Sequence, residues 1–419
     1  MLRRADIELL TQTGPGTPMG TLFRRFWLPA LLPDELPEPD CAPVRLTMLS
    51  EKLVAFRDAA GTVGFVAENC PHRGASMFFG RNEEQGLRCV YHGWKFNTSG
   101  ACVDMPNEPP ESNFKHKVRI TAYPSAEWGG VIWIYMGPAE LQPEVPQFEW
   151  GLLPESHRVI VRWSQECNYA QAMEGDLDTT HVSFLHKTLD GTTNSTLRRT
   201  AANGDLLINH GAPKLTAKET DYGFCYGARR NADNAYYWRV TQLMLPGYSI
   251  IPSVTTQTSS GAWFPMDDHN SWGWRFSWDS EKPIPEDQRA SAGAPPTLIE
   301  GSVKPLANKS NDYLIDREMQ RTQSFTGIWD FRAQDTMATE GMGRIMDRTR
   351  EHLGTADLAI IMYRRRLLRM ARELQQGTEP YAAAHGESYR IRSLDVVDAA
   401  EDLDQLLKNH DEAIFHSVR

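Results

Sequence analysis

Long apolar runs are missing from this sequence: no stretch approaches the roughly 18 consecutive apolar residues that cross a bilayer as a helix. Positive charge is also short. Lys and Arg number 44 against 54 Asp and Glu, a formal net charge of −10, which argues against a nucleic-acid partner, because phosphate binding rests on clustered cations. Cysteine is scarce, with six in 419 residues, too few for a disulfide-stapled secreted scaffold. The first residues, MLRRADIELLTQTGPGTPMG, carry Asp6 and Glu8 inside what would be the apolar core of a signal peptide and fail as one. A cytoplasmic chain with reduced thiols is the expectation. Finally, no G-x-G-x-x-G follows a strand-like run, so no dinucleotide fingerprint is present.

What is present is a chain long enough for two domains, 41% hydrophobic and 23% charged, as in globular proteins. Between about 40 and 137, short β-rich runs such as KLVAFRD, TVGFVAE and GGVIWIYMG alternate with glycine-bearing turns, which predicts a small all-β domain. The proline-bearing stretch 138–156 reads as a linker. Beyond it, NYAQAMEGDLDTTHVSFLH predicts a helix. SWGWRFSWD sets Trp272, Trp274, Phe276 and Trp278 against Gly273, Arg275 and Ser277, a period of two that predicts a sheet packed on one face. Residues 335–376 carry apolar positions at steps of three and four and predict long helices. DVVDAAEDLDQLLKNHDEAIF predicts an acidic amphipathic helix. The expected class is α+β, with an N-terminal segment over 1–30, a small β domain over 31–150, and a larger domain over 151–419 in which helices cover an antiparallel sheet.

Two of the six cysteines fall in CPHRGASMFFGRNEEQGLRCVYHGW, as Cys70-x-His72 and Cys89-x-x-His92. A zinc site would use the same residue types, but zinc fingers group Cys with Cys and His with His. One Cys and one His from each loop instead suits a Rieske [2Fe-2S] cluster, with two thiolates on one iron and two imidazoles on the other. Replacing thiolates by neutral imidazoles raises the potential, so the segment reads as an electron port. Gly74, Gly80, Gly86 and Gly93 would let the loops bring backbone N–H groups toward the cluster. Arg73, Arg81, Arg88 and Lys95 would form a basic docking patch around it.

A cluster alone would make an electron carrier, so the remaining two-thirds of the chain decides the function. GDLDTTHVSFLH supplies Asp178, His181 and His186. Two histidines and a carboxylate from elsewhere form the facial triad of non-haem Fe(II), which leaves positions open for O₂ and substrate. Spacing alone leaves Asp330, Asp335, Asp347 and Asp357 as candidates for the carboxylate.

CPHRGA followed by CVYHGWKF resembles the cluster signature of the Rieske non-haem iron ring-hydroxylating oxygenases, and the resemblance spans nearly the whole chain. GPGTPMG, CPHRGASMFFGRNEE and DRTREHLG resemble the phthalate dioxygenase branch. The resemblance implies a helix-grip catalytic domain, Cys70, His72, Cys89 and His92 on the cluster, and His181, His186 and Asp335 on a mononuclear iron. Asp178 becomes a bridging carboxylate between His72 or His92 of one subunit and His181 of the next in a homotrimer or stacked hexamer. Asn168 and Glu174 would support the site from the same helix. NADH and flavin would act only through a separate reductase. The implied reaction is hydroxylation of an aromatic carboxylate; O-demethylation of a methoxylated or aryl-ether acid is the alternative, and a ferredoxin-type carrier a remote one. A substrate carboxylate asks for a guanidinium. Candidates are Arg198, Arg199, Arg229, Arg230 and Arg239, with Arg239, in YYWRVTQ, and Arg230 favoured.

Overall fold

The computed structural model describes residues 1–189, 204–253 and 256–414. The chain divides into two compact units, Thr13–Val145 and a larger one made of Met1–Gln12 with Pro146–Arg419. The expected divisions at 30 and 150 differ most at the N-terminus. The helix Arg4–Thr11 belongs to the larger unit, whereas Trp27–Leu31, assigned above partly to the leading segment, is a strand of the smaller one.

The smaller unit holds eleven strands in three antiparallel sheets: β1 (Trp27–Leu31) beside β11 (Val131–Tyr135) and β10 (Ser125–Trp128); β2 (Val44–Met48), β3 (Glu51–Arg57), β4 (Val63–Ala67) and β9 (Ala122–Tyr123); and β5 (Arg81–Glu83), β6 (Gly86–Arg88), β7 (Lys95–Phe96) and β8 (Cys102–Asp104). Its core joins Val54, Phe56, Val66, Leu87 and Phe96 to the buried Cys70 and Cys89. The last sheet carries the cysteine–histidine loops on either side of the β5–β6 hairpin.

In the larger unit, one antiparallel sheet runs β12 (Arg158–Gln165), β18 (Ser271–Asp279), β17 (Gln257–Pro265), β16 (Tyr248–Ile251), β15 (Ala235–Met244), β14 (Gly223–Ala232) and β13 (Lys214–Thr220). β19 (Leu394–Asp398) shares one edge of β15 with β16, pairing residues 236–240 while β16 pairs 242–244. The C-terminal segment expected as a helix therefore begins as a strand. Leu394 packs with Trp238 and Val240, and only then does the chain turn into the helix Leu403–Asn409.

Two further expectations change. All nine residues of β18 are buried, not just the aromatic alternates. The helical pattern over 335–376 resolves into two α-helices, Phe331–Gly341 and Leu358–Gln375, separated by irregular chain and a single 3-10 turn at Thr355–Asp357. The helix Tyr169–Leu177 is anchored by ion pairs from this intervening region and its successor. Glu174 accepts from Arg348 at 3.1 Å and from Arg364 at 2.8 Å, all three buried. Asn168 caps the helix through Ala170 N–H and donates to the carbonyls of Thr11 and Asp268. Both residues hold the scaffold rather than reach the cavity described below.

Candidate metal centres and the cavity beside them

The two cysteine–histidine loops fold alike although their histidines sit at different offsets. Cys70 N–H donates to the carbonyl of Ala75 and Gly74 N–H to that of Cys70. Cys89 N–H donates to Trp94 and Gly93 N–H to Cys89, at matching lengths of 2.8–3.0 Å. Both glycines take φ +77°, a conformation that costs any other residue strain. Gly80 and Gly86 serve close packing instead, since a Cβ at Gly80 would meet the carbonyls of Met77 and Arg88 and one at Gly86 that of Phe96.

At the ends of these loops the rings of His72 and His92 lie 4.4 Å apart, with Trp94 stacked on His72 at 4.3 Å. Burial, with the sulfur of Cys89 beside it, pushes the Cys70 thiol up to about 11. The Nδ1 of His92 is buried without a hydrogen-bond partner among the described residues. Two buried sulfurs, two imidazoles and an orphaned ring nitrogen fit the ligand set of a [2Fe-2S] cluster of Rieske type. Tyr91 and Val90, more than half exposed, leave the tip open to solvent. The basic patch is smaller than expected. Arg88 is tied to Glu83 and Asp104 and Lys95 is buried against Glu84, so the exposed cations are Arg73 and Arg81, the latter also paired with Glu83 at 2.9 Å.

In the larger unit the expected helix, which two histidines five apart need to be distorted or ending if they are to converge, ends at Leu177. Asp178 is extended, and His181 opens the single turn His181–Ser183. That break lets two histidines five apart converge. Their Nε2 atoms lie 3.3 Å from one another and 3.5 and 3.1 Å from Asp335 Oδ1. Among the described residues this is the group of His, Cys, Asp or Glu side chains whose ligand atoms all fall within 4.8 Å. Asp335 enters on the helix Phe331–Gly341, which Asp330 caps through Ala333 N–H. Asp347 and Asp357 accept local N–H groups of Thr349 and Gly354.

The surrounding contacts orient this set. Gln334 Nε2 donates to Ile328 O at 2.7 Å, which turns its Oε1 toward His186 Nδ1, also at 2.7 Å. An amide oxygen only accepts, so His186 Nδ1 carries the proton and Nε2 keeps its lone pair for a metal. Phe331 stacks on the His186 ring at 3.9 Å. Burial disfavours charge on Asp335, but His186, Arg332 and His181 outweigh it and hold the carboxyl below the usual range. Burial likewise lowers His181, against Asp335. Neutral imidazoles and an ionised carboxylate are the state a divalent metal requires. Asp178 accepts from Thr180 N–H and O–H at 2.7 Å each through Oδ1, leaving Oδ2 3.8 Å from His181 Nδ1.

The group opens on a cavity of about 180 Å³. Its lining includes Asp176, Asp178 and Asp335 against Arg239, Arg275 and Arg332, with Val182, Leu207, Ile251 and Phe331 among the apolar walls. Arg239 lies on the wall but is engaged: it pairs with Asp395 at 2.8 Å and donates to Tyr237 Oη and Pro252 O. Arg230 is off the wall, donating through Nε to His210 O, and burial, with Arg239 nearby, pushes it down to about 10. Arg229 covers Tyr236 and reaches Glu401 O. Arg198 and Arg199 lie outside the described residues. Sequence reasoning missed Asp176, Gln334, Arg332 and Arg275. Arg275 had left a signal, a cation in register between tryptophans on a buried strand.

Comparison with known proteins covers both halves of the chain. Residues 26–124 match the Rieske [2Fe-2S] domain model and residues 134–407 the LigXa C-terminal domain like model. The chain is 40% identical to the 3-chlorobenzoate-3,4-dioxygenase oxygenase subunit of Comamonas testosteroni, covering 92% of each chain. It is 37% identical to the phthalate 4,5-dioxygenase oxygenase subunit of Pseudomonas putida, over 90% of this chain and 88% of that one. Identity is 33% to the 5,5'-dehydrodivanillate O-demethylase oxygenase subunit of Sphingobium sp. (strain NBRC 103272 / SYK-6), over 91% and 83%. The chain belongs to the Rieske non-haem iron oxygenases, as an oxygenase component of the phthalate dioxygenase-like branch. Its cofactors are a Rieske [2Fe-2S] cluster and a mononuclear non-haem iron, with NADH and flavin chemistry left to a separate reductase. No helix among the described residues is long and apolar enough to cross a membrane.

Proposed function

We propose that this oxygenase hydroxylates an aromatic carboxylate, phthalate-like or a substituted benzoate. The cavity's charge carries the reading. Three carboxylates balance three guanidiniums on its wall, so a bound dication leaves it positive, and it stays so after Asp395 is set against Arg239. A flat anion fits such a space, and the relatives named for 3-chlorobenzoate and phthalate favour the same class.

Within that reading Cys70, His72, Cys89 and His92 hold the cluster, and His181, His186 and Asp335 hold the iron. When bound, the cluster supplies single electrons and the iron supplies the place where O₂ meets substrate. The protein's own part is orientation. Gln334 fixes the His186 tautomer, and Arg332, 3.0 Å from Asp335 Oδ2, leaves Oδ1 facing the histidines. Thr180 pins Asp178 so that its second oxygen faces His181. Asp178 would bridge to His72 or His92 of a neighbouring copy in a homotrimer or stacked hexamer. Arg73 and Arg81 would meet an acidic reductase in the cytoplasm.

Reduced protein mixed with ¹⁸O₂ and a panel of benzoates, phthalates and methoxylated acids tests the reaction. A cis-diol bearing two labelled oxygens is expected. A phenol with released formaldehyde would move the chain to O-demethylation, the reading that the dehydrodivanillate relative favours. Turnover of neutral aromatics alone would overturn the carboxylate assignment.

A further inference from the structure

Three arginines line the cavity, and two of them are already spoken for by a close carboxylate: Arg239 by Asp395 at 2.8 Å and Arg332 by Asp335 at 3.0 Å. Arg275 is different. It projects from β18, is 1% exposed, and reaches its nearest carboxylate, Asp176 Oδ1, only at 3.4 Å. That carboxylate is itself shared. Asp176 Oδ2 accepts from Ser249 Oγ, and Oδ1 lies 3.8 Å from Arg332. The Nε of Arg275 has no hydrogen-bond partner among the described residues; that of Arg332 has none either, but Arg332 Nη1 is closed by Asp335 at 3.0 Å. A buried donor left unmade is costly, and the one carboxylate Arg275 reaches is held by a long hydrogen bond from Nη2 and lies near Arg332 as well. Burial, with Arg332 beside it, pushes Arg275 down to about 10, whereas Tyr237 and Asp395 outweigh burial at Arg239 and raise it.

The side chain is nonetheless held in place. Gly293, at φ +71°, lies over its stem: a Cβ there would come within 2.8 Å of Arg275 Cγ, 3.0 Å of Cδ and 2.0 Å of Ser277 Oγ. Ser291, Ala292, Gly293 and Ala294 form the adjoining wall of the cavity. A clamped guanidinium with spare donors, facing a cavity that also holds the candidate iron ligands, is organised to receive an anion in bidentate fashion.

We propose that Arg275 is the specificity-determining residue of this oxygenase, its guanidinium receiving the carboxylate of the aromatic substrate. This rests on the aromatic-carboxylate reading above and assigns the anchor to a strand away from Arg239 and Arg230. Arg239, closed by Asp395, Tyr237 and Pro252, instead braces the wall between β15 and β19.

The test compares an aromatic acid with its neutral carboxamide, using benzoate and benzamide as probes. Binding to the iron-loaded oxygenase is measured by calorimetry for wild type, Arg275→Gln, Arg275→Lys and Arg239→Gln. Wild type is expected to favour the acid. Arg275→Gln should weaken benzoate by roughly 10- to 100-fold, the range for a lost hydrogen bond to a charged group, and leave benzamide within about threefold. Arg275→Lys should fall between them for the acid alone, and Arg239→Gln should lower both ligands together. A wild type without preference for the acid would sink the carboxylate reading itself. A wild type that prefers the acid, with an Arg275→Gln that keeps the preference, would overturn the anchor and leave the reading standing. Should Arg275→Gln not fold, Arg275→Lys decides: equal losses for acid and amide would reject the assignment.

Discussion

The two sites of this chain solve opposite problems. The proposed cluster ligands sit within 23 residues of sequence, on twin loops whose cysteines are buried and whose tip exposes Val90 and Tyr91. The iron-ligand candidates span His181 to Asp335, meet beside a cavity, and are fixed by Gln334, Phe331 and Arg332. A site that passes electrons needs a short path to the surface. A site that admits an anion and O₂ needs walls, and walls must come from distant strands and helices.

Asp178 sharpens the contrast most, since it is the proposed link between the two kinds of site. Asp178→Asn removes a charge but can keep the Thr180 contacts to Oδ1, so iron and sulfide contents should match wild type. Turnover should fall by about 10²-fold or more, the scale of a lost proton-handling group. Near-normal turnover would break the bridge. The smaller effect concerns the twin loops. Gly74 and Gly93 share φ +77°, but a Cβ at Gly74 meets nothing within 4 Å while one at Gly93 meets Pro106 Cγ at 2.6 Å. Gly74→Ala should cost about 1–2 kcal/mol of left-handed strain, and Gly93→Ala about 1–3 kcal/mol more for overpacking. The temperature at which the visible absorbance bleaches on heating reads the difference, and equal shifts would mean the loops are not packed as described.

The same contrast explains what the sequence could reveal. Cys70, His72, Cys89 and His92 are local, and their spacing carries the chemistry. His181 and His186 could be proposed, and a pair five apart asks for a distorted or ending helix, but the sequence did not place that end at Leu177. The hairpin turns at Leu49-Ser50 and Glu84-Gln85 take positive φ without glycine or asparagine, so turn chemistry did not announce them. DVVD read as the start of a helix because the residues after it favour one; pairing with β15 overrides that preference. Arg275 and Ser277 looked like the solvent face of β18, since alternation cannot distinguish water from the lining of a cavity.

Metal and sulfide contents test most directly whether one chain holds both centres on these residues. Iron and acid-labile sulfide should be measured in the wild type and in Asp335→Ala. The wild type should contain about three iron and two sulfide per chain, and the variant about two of each, with the cluster's absorbance intact. Three iron retained in the variant would place the mononuclear site elsewhere, and zinc without sulfide in the wild type would contradict both centres.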